Sequence, residues 1–151
     1  MSTELRELYQ SVIVDHGRRP RNYCSLPEAN CHKEGFNPLC GDHIFLHAEK
    51  IDEQIAKLSF EGKGCAISMA SASLMTEFLK GKNISEIKKI FSDFHALVTR
   101  GQSSDLLGKL TVFAGVQEFP ARVKCATLAW HTLMAMLNHE ANGPVSTEES
   151  I

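Results

Sequence analysis

With 151 residues, 43% of them hydrophobic and 23% charged, the chain has the size and composition of one globular domain with a core of its own. A net charge of -2 gives no electrostatic ground for nucleic acid or an anionic membrane as partner, and no apolar run approaches the roughly 20 residues of a membrane helix. The opening MSTELRELYQ is amphipathic and acidic, unlike a secretory signal, and five cysteines without such a signal suit a cytoplasmic setting where thiols stay reduced.

Leu5, Leu8, Tyr9, Val12 and Ile13 recur at helical spacing and predict a helix over residues 3–16, stopped by Gly17 and Pro20. RRPRNYCSLPEAN reads as a loop whose Arg18, Arg19 and Arg21 face water. Residues 29–35 are expected to pair as a strand. After the turn NPLCGD, Ile44, Leu46 and Ala48 alternate with His43, Phe45 and His47, the period of a strand with one face buried. A polar turn at residues 52–54 leads to a second alternating run, IAKLSFEG, so the two predict an antiparallel hairpin.

Gly62 and Gly64 then break the strand, and AISMASASLM begins a helix buried over much of its surface, ending at Gly81. Asn83 followed by Glu86 predicts a helix start, continued by Ile87, Ile90, Phe91, Phe94 and Leu97. The loop RGQSSD, an apolar stretch LLGKLTVFAGV and a proline-marked turn precede a last helix in PARVKCATLAWHTLMAML. The expected fold is α+β: a small three-stranded antiparallel sheet covered by helices, one domain over 1–140, with a polar, disordered tail over 141–151.

Cys40 falls on the turn entering the hairpin, Cys65 on the glycine-rich turn that opens a helix, and Cys125 near the start of the last helix. All three turns can share one end of such a fold. Free N–H groups at a helix start favour thiolate, as do the neighbouring Lys63, Arg122 and Lys124. Three thiolates with the Asp42 carboxylate would complete a tetrahedral zinc site. A cysteine taken singly is more often a small buried residue than a ligand, and no CxxC pair is present, so spacing leaves both readings open.

NPLCGD, EGKGCAISMASASLM and FPARVKCATLAW resemble the three signature segments of the U-type iron–sulfur assembly proteins, and LYQSVIVDHGRRPRN resembles their opening helix and loop. Within that superfamily the chain looks most like the SufU-type zinc-dependent sulfur-transfer proteins. Lys124 stands where the scaffold type has a histidine, and an added stretch around IKKIFSDFHALVTRGQSSDLL lengthens the interval between Cys65 and Cys125.

The resemblance implies an IscU-like α/β sandwich, zinc held by Cys40, Asp42, Cys65 and Cys125, and Cys40 as the catalytic sulfur acceptor. It also implies a SufS-type, pyridoxal-phosphate-dependent cysteine desulfurase as donor, whose histidine would take the place of Cys40 at zinc. A downstream iron–sulfur scaffold or thiol reductant would receive the sulfur. The alternative implied by the same superfamily is a scaffold that assembles a [2Fe–2S] cluster on these cysteines.

Other residues read more plainly. Cys24 and Cys31, the latter beside His32, are incidental thiols outside the signature segments. His43 and His47 share a strand face, and with His16, His95, His131 and His139 they read as ordinary exposed or edge histidines. Trp130 and Phe119 are expected to pack the last helix or its approach.

Overall fold

The computed structural model describes residues 3–138 and 145–146. Its elements in order are α1 (Thr3–Arg18), β1 (Cys31–Asn37), β2 (Asp42–Ile51), β3 (Gln54–Lys63), α2 (Ala66–Leu79) and α3 (Ile84–Arg100). A stretch of 3-10 turns (Asp105–Glu118), α4 (Pro120–Leu137) and a two-residue strand, β4 (Val145–Ser146), follow.

The sheet order is β3-β2-β1-β4. The first three strands are antiparallel, as expected, while β4 adds to β1 in parallel. The third predicted strand lies two residues later than read, at Cys31–Asn37. The expected tail disorder lies outside the described residues, apart from Val145 and Ser146, which form β4.

Alternation in β2 does what its pattern predicts. Ile44, Leu46 and Ala48 are wholly buried against the helices, while His43, Phe45 and His47 occupy the other, open face. α4 packs on β1 and β2, and α2 packs on β3, α1 and α4. The approach of α4 to β1 is so close that a Cβ at Gly35 would lie 2.0 Å from Thr132 Oγ1.

α2 is buried from Ser68 to Thr76 because its small side chains let neighbours approach on most sides. Its Ser71 hydroxyl is held internally, donating to the Ala126 carbonyl and accepting from Trp130 Nε1 at 3.1 Å. α3 opens with the expected capping box, since Asn83 accepts from the Glu86 N–H at 2.8 Å and Glu86 reaches back to the Asn83 N–H.

Two aromatic and histidine expectations need correction. Trp130 is fully buried and stacks on Phe94, as read, but Phe119 is 58% exposed at the N-cap of α4. His16 is not an edge histidine. It is 3% exposed and bonds through Nδ1 to Ser73 Oγ at 2.8 Å, tying α1 to α2, while the same oxygen accepts the Arg21 N–H. No helix among the described residues is long and apolar enough to cross a membrane.

Candidate metal centre

The turn between β1 and β2 is shaped by its own residues. Asn37 Oδ1 accepts the Leu39 N–H at 3.2 Å, and the Asn37 carbonyl accepts the Gly41 N–H at 2.8 Å. Gly41 takes a φ of 71°, a left-handed conformation that suits glycine. The result is that Cys40 stands exposed at the turn while Asp42, two residues on, enters β2 fully buried.

One oxygen of Asp42, Oδ1, accepts the Cys65 N–H at 2.8 Å, tying the first turn to the one that opens α2. Oδ2 takes a hydrogen bond from Asn37 Nδ2 at 3.2 Å and lies 3.9 Å from Cys65 Sγ. Gly64 makes room for this carboxylate, because a Cβ there would sit 2.6 Å from Asp42 Oδ1. Across the turn, Cys40 Sγ is 3.4 Å from Cys125 Sγ, which also receives Asn37 Nδ2 at 3.6 Å.

Donor atoms of Cys40, Asp42 and Cys125 all lie within 4.8 Å of one another; Cys65 is outside that group and adjoins it at Asp42, whose Oδ2 is 3.9 Å from its sulfur. Of the four residues singled out in the sequence, Cys40, Asp42 and Cys125 bring their donor atoms together, and Cys65 stands next to Asp42 through its N–H and its sulfur. Soft thiolate sulfur with one carboxylate is a donor set that fits zinc, and the buried carboxylate is already oriented by two hydrogen bonds.

Cys65 is the N-cap of α2, and its sulfur accepts the Ser68 N–H at 3.4 Å. Its thiol is lowered to about 6, first by the hydrogen bond from Cys125 and then by the Ser68 N–H, against the opposing effect of burial. Cys125 moves the other way. It holds its proton for Cys65, is buried, and is pushed well above the ordinary thiol range.

The expected helix-start effect at Cys125 is thus corrected. α4 begins at Pro120, so Cys125 lies in the second turn, beyond the free N–H groups. Asn37 is the site residue that chemical reasoning on the sequence missed, since an amide suggests a turn before it suggests a group that orients ligands. A groove of about 560 Å³, lined by none of these site residues, runs along Tyr9 and Ile13 of α1, Ile67 of α2, and Phe119 and Arg122 at the start of α4.

An open antiparallel sheet with helices on one face, and cysteines with an aspartate gathered at its end, define a thiol-rich member of the U-type assembly fold. The NifU-like N-terminal domain family matches residues 8–126, and the chain belongs to it. It is 41% identical to the zinc-dependent sulfurtransferase SufU of Bacillus subtilis (strain 168), over 94% of this chain and 97% of that one. It is 35% identical to the iron–sulfur cluster assembly scaffold protein IscU of Streptococcus pyogenes serotype M1, over 99% of this chain and 94% of that one. A solved structure from Fervidobacterium islandicum AW-1, described as an iron–sulfur cluster assembly scaffold protein for the SUF system, has a TM-score of 0.81. That structure is 31% identical, over 87% of this chain and 98% of the other.

Proposed function

We propose that this chain is a zinc-dependent sulfur acceptor in iron–sulfur cluster assembly, taking persulfide sulfur onto Cys40 from a cysteine desulfurase in the cytoplasm. The observation that carries the proposal is the division of labour on one turn. Asp42 is buried and held by two hydrogen bonds, whereas Cys40 is exposed and within reach of a partner. The similarity to a sulfurtransferase over nearly the whole chain supports it, as does Lys124, a residue without a ligand lone pair in its charged form.

Cys40, Asp42, Cys65 and Cys125 would hold the ion. Zinc, when bound, keeps thiols deprotonated and supplies no redox chemistry of its own. The Cys40 thiolate attacks the outer sulfur of the donor's persulfide. A new S–S bond forms at Cys40, the donor's S–S bond breaks, and the donor cysteine leaves as thiolate, with no net oxidation. The pyridoxal-phosphate desulfurase is the donor this chemistry requires. A thiol reductant or a downstream scaffold discharges Cys40.

The chain as purified is expected to be colourless and to carry about one zinc. Mixed with a SufS-type desulfurase and cysteine, it should gain one sulfur atom at Cys40, read by mass spectrometry, and Cys40→Ala should abolish stimulated sulfide release. Undiminished stimulation by that variant would overturn the assignment. The similarity to IscU favours one alternative, assembly of a [2Fe–2S] cluster on the same thiols. A brown, iron-containing protein would decide for it.

A further inference from the structure

The open face of the sheet carries a second set of ligand atoms, away from the cysteines. His32 on β1 and His47 on β2 are register partners, and their Nδ1 atoms are 2.9 Å apart. The sequence places His32 beside Cys31, but the fold couples it to His47 instead. His47 is further held from its other nitrogen: Nε2 is 2.9 Å from Glu61 Oε1 on β3.

That second bond determines where the lone pairs lie. A carboxylate only accepts, so neutral His47 donates from Nε2 and presents an unprotonated Nδ1 to His32. A histidine whose remote N–H is fixed by a carboxylate is the usual arrangement of a metal ligand, because the bond orients the ring and raises its basicity. Across from His47 stands Ser59, 2% exposed, whose hydroxyl has no hydrogen-bond partner among the described residues.

We propose that His32 and His47 form an imidazole metal site on the open sheet face, chelating one divalent ion of nickel or copper type through both Nδ1 atoms. Two nitrogens at right angles around a metal, each about 2.1 Å from it, are about 3.0 Å apart, whereas a tetrahedral angle opens them to about 3.4 Å. The observed 2.9 Å therefore suits octahedral or tetragonal coordination, completed by water at the exposed His32 side. Metal entry needs His32 to move its proton from Nδ1 to Nε2 and both rings to turn so that their lone pairs converge on the ion. No redox step is involved.

The test uses the full chain as purified, its metal content measured first, titrated with nickel(II) chloride by calorimetry and absorption. One nickel per chain is expected, without displacement of metal already bound and without the sulfur-to-nickel charge-transfer bands of a thiolate site. His32→Ala and His47→Ala should each lose this equivalent, Glu61→Gln should weaken it about tenfold, and His95→Ala should leave it unchanged. Nickel binding that survives His32→Ala, displaces the resident metal or brings thiolate bands would overturn the site. His32 is exposed, so its variant decides the matter even if His47→Ala fails to fold.

Discussion

At Gly64 the side chain is absent for the sake of another residue's. A methyl group there would press on Asp42 Oδ1 at 2.6 Å and on Asp42 Cβ at 3.1 Å, and the carboxylate is too buried to swing into water. Gly64→Ala should therefore weaken metal retention by about 10- to 100-fold in a chelator competition, the range for disturbing a ligand's support. Gly115→Ala, where a Cβ meets nothing within 4 Å, is the matched control. Asn37→Ala should act in the same direction, because it removes one hydrogen bond from Asp42 and one from Cys125. Unchanged chelator resistance in both variants would show that the ligands need no such support.

At the level of elements, α3 tests whether local chemistry is enough. Its capping box was legible in the sequence, and Asn83→Ala should cost about 1 kcal/mol, measured by urea unfolding. The hairpin was equally legible, because alternation in β2 and β3 records which face each residue takes. That the turns bearing Cys40, Asp42 and Cys65 and the start of α4 would share one end of the fold could be inferred from where turns and helix starts fall. Burial of lone polar residues could not. His16 looked like an edge histidine because nothing local announces Ser73, its partner from a distant helix. Phe119 looked like a packing residue for the converse reason, since an aromatic side chain alone does not record that its position at a helix cap leaves it in water. β4 was hidden because two residues are too few to display a period.

For the molecule as a whole, acid should act through histidines that the fold keeps neutral. Burial lowers His16, His95 and His131, with Arg21, Arg100 and His95 respectively adding repulsion. The unfolded chain takes up protons near pH 6.5, about the ordinary value, while the folded chain resists. Their stabilising contribution is thus complete above that pH and is lost as pH falls through the lowered folded-state values. Thermal unfolding from about pH 8 to about pH 5 should show falling Tm, with a shallower fall in His95→Gln. Equal slopes would remove His95 and its effect on His131 from the account. Loss of bound metal in acid affects both proteins alike and cancels in the comparison.

The thiol on α4 also sets a timetable. Cys40, Asp42 and Cys65 are synthesised well before Cys125, which reaches them only when α4 packs across β1 and β2. A nascent chain that has emerged only through α3 would hold an incomplete cage and exchange its ion readily. On the proposed zinc reading, tight loading of the ion would follow translation of the last helix and would report whether that helix has docked.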